Sequence, residues 1–240
     1  MKNQYFGDKR DLLKYSLLET LASRLPGIEQ LTCIWLLTEP AVNNDGNRLF
    51  APRVDASRLE CFLHECVSTN RRDVRNLAMY VAGSEFAYFS YGDDPSTYFS
   101  ATSRKDYFGS IPLQALARSV VFFDPDNGLE PDKSCGVAHL SYEEFATVFT
   151  RMDRVSAAVV YQHLPRRSPA VFWPELAAKV RSRLNCSAGY VAAGDVGFLI
   201  ALRNVRTEQV VATALDDFSE SWPMPITVAA PTGHQMTGEG

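Results

Sequence analysis

The sequence predicts an α/β fold: a three-layer, mostly parallel sheet that ends in an antiparallel hairpin at its C-terminal edge. Short apolar runs recur along the chain, and uninterrupted runs of this kind are typical of strands buried on both faces. Segments with the apolar spacing of helices separate these runs, and alternating strands and helices form parallel sheets. The last two runs are joined by a tight turn at Gly194-Asp195, which predicts the antiparallel edge.

The first half of the chain predicts one long helix, two strands and several shorter helices. Apolar residues recur at helical spacing from Asp11 to Leu25, and Pro26-Gly27 ends that helix. The polar, turn-rich segment 39–52 predicts a loop after the first strand. The elements predicted here are helices at 11–25, 58–67, 72–81 and 104–108, and strands at 32–37 and 86–91.

The second half predicts a regular alternation of strands with helices. Ser141 and Glu144 match the pattern of a capping box, which places the start of one helix. The elements predicted are strands at 119–123, 156–161, 189–193 and 197–202, and helices at 141–151 and 170–184. We expect one α/β domain over residues 1–230, with 40–115 as the candidate for an inserted or variable subdomain and 231–240 as a flexible tail.

Composition and charge exclude several classes of protein. The chain has 240 residues, 46% hydrophobic and 22% charged, as is usual for a soluble globular protein. A net charge of −4 argues against generic coating of nucleic acid and leaves a local basic patch open. Five scattered cysteines without a Cys-x-x-Cys pair support neither a zinc knuckle nor a disulfide framework. Without a secretory leader or a membrane-spanning apolar run, we expect a cytoplasmic protein that does not contact membranes.

The strongest candidate site follows the strand at 119–123, at the strand end where α/β sheets place their ligands. Three interpretations of Asp124-Pro125-Asp126-Asn127 stay open. The residues can serve only as turn formers. The carboxylates of Asp124, Asp126 and Glu130 can hold Mg²⁺ or Mn²⁺, which prefer oxygen ligands. Alternatively, Asp124 and the Pro125 carbonyl can accept hydrogen bonds from an exocyclic amino group such as that of a nucleobase.

A second group of polar residues follows the next strand and is expected at the same edge of the sheet. His163 titrates near neutrality and is a candidate for acid–base chemistry, with Tyr161 shaping the pocket beside it. Arg166 and Arg167 are suited to contact phosphate. The alternative is a solvated loop that carries a structural histidine.

Two more segments are candidates for contact with a ligand. Aromatic and charged residues crowd before the first helix, where Asp8 either caps that helix or, with Lys14, faces the ligand crevice as part of a lid. The loop from Glu39 to Asn47 follows the first strand, where a Rossmann-type sheet contacts its cofactor. Neither a G-x-G-x-x-G loop, a Walker loop nor a G-x-S-x-G elbow occurs in the sequence.

The order of these pieces resembles the second half of class I S-adenosylmethionine-dependent methyltransferases. Residues 122–127 resemble the amino-methyltransferase motif of acidic or Asn, Pro, Pro, aromatic, although Asp126 and Asn127 replace its last two residues. Gly7-Asp8, Asp11-Leu12 and Lys14-Tyr15 are similar to the start of bacterial ribosomal-RNA adenine-N6 methyltransferases. The combination also resembles a bacterial protein family. The resemblance covers about residues 5–20 and 115–205.

This resemblance implies a Rossmann-like, methyltransferase-type fold and an enzyme that transfers a methyl group from S-adenosylmethionine to an amino group of a nucleic acid. The implied residues are catalytic (Asp124, Pro125, Asp126, Asn127, His163), cofactor-binding (Asp8, Glu39, Asp45, Asn47) and substrate-binding (Lys14, Tyr161, Arg166, Arg167).

Two other functions stay open. One is a metal-dependent, nuclease-like phosphoester hydrolase with Mg²⁺ or Mn²⁺ on Asp124, Asp126 and Glu130 and with His163 as general base. The other is a non-catalytic protein that binds a protein partner through a degenerate methyltransferase fold. The replacement of a Gly-rich cofactor loop by Thr38-Glu39-Pro40-Ala41 favours this last reading.

Overall fold

The computed structural model describes residues 1–40, 50, 52, 54–132 and 135–233, and strands alternate with helices through most of them. In chain order the strands are β1 (Gln30–Trp35), β2 (Ala87–Tyr91), β3 (Ser119–Asp124), β4 (Gly128–Leu129), β5 (His139–Leu140), β6 (Ala157–His163), β7 (Ser187–Ala193), β8 (Val196–Leu202) and β9 (Thr227–Thr232). The α-helices are α1 (Lys9–Arg24), α2 (Arg58–Ser68), α3 (Leu77–Val81), α4 (Arg104–Gly109), α5 (Leu113–Leu116), α6 (Tyr142–Phe149), α7 (Pro169–Leu184) and α8 (Glu208–Ser221). Short 3₁₀ turns lie at Asn3–Tyr5, Val74–Asn76 and Val205–Thr207.

Seven of these strands form one sheet in the order β2-β1-β3-β6-β8-β7-β9, while β4 and β5 pair with each other. The four strands from β2 to β6 run parallel. β8 is antiparallel to both β6 and β7, and β9 is antiparallel to β7. The predicted class is confirmed: a mostly parallel α/β sheet with antiparallel strands toward one edge.

Helices cover both faces of the sheet, which gives the three layers. α1, α2, α3 and α8 pack on one face, and α4, α5, α6 and α7 pack on the other. Alternate residues of β3 enter the two cores: Val120 and Phe122 lie on the α1 side, and Val121 and Phe123 on the α6 side. Because both faces are buried, β3 is an unbroken apolar run rather than an alternating one.

Local signals in the sequence begin two helices as predicted. The side chain of Asp8 accepts hydrogen bonds from the backbone N–H groups of Arg10 and Asp11 and so caps α1. Ser141 and Glu144 form both hydrogen bonds of a capping box at the start of α6. The capping alternative for Asp8 is therefore confirmed, and its carboxylate is turned toward the helix.

The C-terminal part of the chain contains two elements that the sequence analysis did not predict, α8 and β9. β9 pairs with β7 outside the predicted hairpin and extends to Thr232, two residues into the segment expected as a tail. A Cβ atom on Gly189 would lie 2.2 Å from the carbonyl oxygen of Ala229, so the absence of a side chain lets β9 approach β7 closely.

The stretch 40–115, considered as an inserted subdomain, supplies α2 to α5 and also β2, which is the outermost parallel strand of the main sheet. Within the described parts of the chain, we find no helix with the length and apolar character needed to cross a membrane.

Candidate functional site

The sheet has a topological switch point between β1 and β3. From β1 the chain turns outward to build β2, and it then returns to the other side of β1 to build β3. Connections that leave in opposite directions open a crevice at the carboxyl ends of the two strands, where α/β proteins bind ligands. Asp124 is the last residue of β3 and lies opposite Trp35 at the end of β1, so the predicted site borders this crevice.

The α-ammonium group of Met1 lies in the crevice. It donates hydrogen bonds to the carbonyl oxygens of Leu36 (2.9 Å) and Asp124 (3.3 Å). It also forms an ion pair with Oδ1 of Asp126 at 2.7 Å. Burial lowers the pKa of the Met1 ammonium, although the nearby carboxylates oppose this effect. Burial by itself would raise the pKa of Asp126, but the Met1 ammonium, the Thr38 hydroxyl and the Lys2 charge together outweigh it, so this pKa lies below its usual value.

Lys2 extends the same network toward the loop after β1. Its Nζ donates to Oγ1 of Thr38 and to the carbonyl oxygen of Glu39, each at 2.6 Å. The Thr38 hydroxyl in turn donates to Oδ2 of Asp126 at 2.6 Å. The first two residues of the chain therefore connect the ends of β1 and β3 through Asp126.

A second buried cation, Lys14, lies on the α1 side of the same strand end. Its Nζ donates to Oδ1 of Asp11 at 2.7 Å and to Oδ2 of Asp124 at 2.9 Å. The side chains of these three residues are each at most 3% exposed. Nζ also lies 5.2 Å from the ring centre of Tyr161 and 5.7 Å from that of Phe122, within cation–π range.

Burial and neighbouring charges shift the pKa values of Asp11 and Lys14. Burial raises the pKa of Asp11 to about 6, against the opposing effect of the Lys14 charge. Burial would lower the pKa of Lys14, but Asp11 and Asp124 outweigh it and raise this pKa above its usual value. Lys14 therefore stays charged at neutral pH, held by two carboxylates.

Tyr161 lies beside this triad and connects it to His163, the last residue of β6. The Tyr161 hydroxyl lies 3.0 Å from Nε2 of His163, and the His163 ring is partly exposed. Burial, followed by the charge of Arg10, lowers the pKa of His163 below its usual value. A neutral imidazole can accept or donate a proton, so His163 is suited to acid–base chemistry.

Gln162 holds the Asn127-Gly128 turn against β6. Its Oε1 accepts from the N–H of Leu129 (2.8 Å), and its Nε2 donates to the carbonyl oxygens of Asn127 (3.1 Å) and His163 (2.8 Å). A Cβ atom on Gly128, where φ is +111°, would lie 2.3 Å from Oε1 of Gln162. Glycine is thus required here for both conformation and space.

A pocket of about 530 Å³ opens beyond this turn, between β4, β5 and α7. His163 and Gln162 line it together with apolar residues of α7 and the β4 segment. Arg167, predicted to contact phosphate, lies at this pocket and forms an ion pair with Glu175. Arg166 is exposed.

The structure brings several predicted residues together and separates others. Asp124, Pro125, Asp126, Lys14 and Tyr161 surround the crevice, and Asn127 and His163 lie next to it, at the pocket. Asp8 caps α1, as the capping alternative predicted. The Glu39 side chain is exposed, and its backbone carbonyl makes the contact with Lys2. Asp45 and Asn47 lie outside the described residues.

The metal-binding arrangement is not formed, because each of its three carboxylates has a different partner. Asp124 pairs with Lys14, Asp126 with the Met1 ammonium, and Oε1 of Glu130 accepts from the backbone N–H of Tyr142. No group of three His, Cys, Asp or Glu side chains suited to a metal ion occurs among the residues that the structure describes. Each of the three carboxylates is thus engaged by another group of the chain itself.

Sequence reasoning missed two members of the crevice. The Met1 ammonium has no local signal, since its partners Leu36, Asp124 and Asp126 are remote in the chain. Asp11 does have one, because a carboxylate three residues before Lys14 lies on the same face of a helix.

Comparisons with protein-family models, with curated proteins and with solved structures find no match to this chain.

Proposed function

We propose that the chain is a methyltransferase-type protein that binds S-adenosylmethionine and modifies an amino group of a nucleic acid. The observation that carries this proposal is the α-ammonium of a methionine held at the switch point by Leu36, Asp124 and Asp126. S-adenosylmethionine presents the same α-ammonium on the same methionine skeleton. The acceptors at the ends of β1 and β3 therefore fit the amino-acid part of that molecule.

The chain's own N-terminus and the cofactor would compete for these acceptors. The two carbonyl oxygens and the Asp126 carboxylate would bind the cofactor ammonium once the Met1 ammonium leaves them. When bound, S-adenosylmethionine supplies an activated methyl group, so the protein has chiefly to position the acceptor.

The residues around Lys14 suit the substrate amine that would receive the methyl group. The Asp124 carboxylate accepts a hydrogen bond from the ammonium nitrogen Nζ of Lys14, beside the faces of Tyr161 and Phe122. A carboxylate acceptor with an aromatic wall is the environment that a nucleobase amino group requires. In the proposed reaction, a substrate amine shares or replaces the position of Nζ, and the exposed Arg166 contacts phosphate.

Isothermal titration calorimetry with S-adenosylmethionine and S-adenosylhomocysteine tests the binding step. We expect saturable binding of both, and at least tenfold weaker binding in Asp126→Asn because a charge-assisted contact is lost. Asp153→Asn is the matched control, since Asp153 accepts from Arg118 and Ser156 N–H groups at the opposite edge of the sheet. A labelled-methyl assay on RNA and DNA then tests transfer.

If the native chain binds neither compound, a variant with a loosened N-terminus distinguishes a site blocked by Met1 from the absence of a site. Lys2→Ala removes two hydrogen bonds that hold the first residues over β1 and should strengthen cofactor binding. If neither the native chain nor Lys2→Ala binds either compound at millimolar concentration, the methyltransferase proposal is wrong.

A non-catalytic partner protein is the second candidate, and one observation favours it. The carboxylates Asp124 and Asp126 are already neutralised by cations of the chain itself, Lys14 and the Met1 ammonium. This candidate predicts an intact fold that responds to neither cofactor form and transfers no methyl group.

A further inference from the structure

The pocket beside His163 shares no lining residue with the crevice around Met1 and Lys14. Its walls come from the β4 segment, the start of α6, the end of β6 and the first turns of α7. A volume of about 530 Å³ lies within the usual range of small-molecule sites, about 300–1,000 Å³. The pocket is therefore large enough for a ligand of its own.

Two buried polar atoms on residues that line this pocket have no hydrogen-bond partner. They are the hydroxyl of Tyr142, a residue only 4% exposed, and Nδ1 of His139. Buried polar groups in folded proteins are bonded in the great majority of cases, so each exception requires an explanation. A ligand that supplies both partners is the explanation that also accounts for the pocket.

The two histidines and the tyrosine that line the pocket are uncharged. Burial lowers the pKa of His139 and of His163, so both imidazoles are neutral at pH 7. Burial raises the pKa of Tyr142 to about 12, which keeps its hydroxyl protonated. Each of these groups can donate or accept a hydrogen bond, as can the exposed amide of Asn127.

Four of the five charged side chains that line the pocket form two ion pairs, and the fifth, Glu130, accepts a hydrogen bond from the backbone N–H of Tyr142. Lys179 binds Asp132, and Arg167 binds Glu175, each with a nitrogen–oxygen distance of 2.5 Å. The pairs leave the Glu130 carboxylate as the net charge of the lining, which does not favour an anionic ligand.

The remaining wall is apolar and includes an aromatic ring. Leu129 and Leu176 are buried, and the partly buried ring of Phe172 and Pro165 also line the pocket. A flat apolar surface combined with neutral donors and acceptors matches a planar ring that carries heteroatoms at its edge.

We infer that this pocket binds an uncharged nitrogen-containing aromatic ring of the nucleobase or nucleoside class, as a second site independent of the crevice. The ring lies against Phe172 and bonds through its edge to Tyr142 and His139. The inference does not depend on methyl transfer, because no residue of the crevice takes part.

Calorimetric titration of the full chain with adenosine, guanosine, cytidine and uridine tests the inference, with inorganic phosphate as a separate probe. We expect at least one nucleoside to bind saturably with one site per chain and phosphate not to bind. Tyr142→Phe should weaken that binding at least fivefold. It should not lower the thermal midpoint, because the hydroxyl it removes has no partner.

Tyr80→Phe is the matched control on the opposite face of the sheet. The Tyr80 hydroxyl donates to Glu19 at 2.9 Å, so its removal should lower the thermal midpoint and leave nucleoside affinity unchanged. Phe172→Leu keeps an apolar side chain without the ring and should weaken nucleoside binding by a comparable factor.

Three results would overturn the inference: no nucleoside bound at millimolar concentration, equal affinity in Tyr142→Phe, or binding of phosphate alone. A Tyr142→Phe midpoint that falls as far as that of Tyr80→Phe would also overturn it, by revealing a structural partner. Nucleoside binding without any response to S-adenosylmethionine would support this site and count against the proposed reaction. A response to S-adenosylmethionine without nucleoside binding would support the proposed reaction and count against this site.

Discussion

Replacing Lys14 with methionine should destabilise the chain strongly, because it leaves two buried carboxylates without their cation. Asp11 and Asp124 both accept hydrogen bonds from Nζ, and their side chains are 3% and 1% exposed. Methionine keeps most of the aliphatic stem and fills irregular space well, so the packing loss is small. The effect therefore measures the charge.

The expected cost is about 3–5 kcal/mol, the usual result of removing one partner from a buried ion pair. Solvent screening does not reduce it, since all three side chains are inaccessible. For a chain of this length the thermal midpoint should fall by roughly 6–20 °C, at about 2–4 °C per kcal/mol.

Removing the carboxylates as well should restore part of the loss. The triple variant Lys14→Met, Asp11→Asn, Asp124→Asn contains no buried charge at this position and should be at least about 2 kcal/mol more stable than Lys14→Met. Acid should also reduce the penalty of the single variant. Burial raises the pKa of Asp11 to about 6, and without Lys14 the folded Asp11 carboxyl binds its proton more tightly still than in the unfolded chain, so the penalty shrinks as the pH falls through this raised pKa.

Urea unfolding at pH 7.5 and pH 5, followed by circular dichroism, measures these differences if the denaturant slopes stay equal. The reasoning would be refuted by a cost for Lys14→Met below about 1 kcal/mol. It would also be refuted by a triple variant no more stable than the single one.

Three further predictions concern other parts of the site. Adding a glycine before Met1 converts its ammonium to an amide, and the loss of the charge opposite Asp126 should cost about 2 kcal/mol in urea unfolding. Burial lowers the pKa of His163 from 6.5, so the unfolded chain binds its proton more readily, and stability should fall as the pH drops below 6.5. His163→Asn should lose less stability between pH 7.5 and 5.5, and equal losses would contradict this. Gly128→Ala should lower the free energy of unfolding by about 2–5 kcal/mol. Gly27→Ala should lower it by about 1 kcal/mol, because Gly27 also has positive φ but has open space around it. Equal losses in the two variants would exclude a steric clash at Gly128.

Local sequence signals were sufficient for most of the fold. The cap at Asp8, the capping box at Ser141 and the apolar run of β3 each depend on neighbours within a few residues. α8, which the sequence analysis did not predict, carries a comparable signal, since Val211, Leu215 and Phe218 recur at helical spacing. β9 has none, because its pairing with β7 depends on the space above Gly189.

The candidate site divides in the same way. Strand ends of a parallel sheet meet at one edge, so the proximity of Asp124 to Tyr161 and His163 followed from the order of the elements. The partner of each carboxylate could not be predicted from the order of the elements. Asp124 and Asp126 stand two residues apart, yet one binds Lys14 and the other the Met1 ammonium.

The sequence by itself therefore determined the fold class, most strands and helices, and the edge of the sheet where the polar residues collect. These features depend on the periodicity of apolar residues and on hydrogen bonds between residues that are close in the sequence. Only the tertiary structure decided that Met1 and Lys14 neutralise the carboxylates, and that the pocket beside His163 contains unpaired polar atoms. The ion pairs of Met1 with Asp126 and of Lys14 with Asp124 join residues more than a hundred positions apart. Burial, which sets the strength of these pairs and the cost of an unpaired polar atom, is a property of the folded chain.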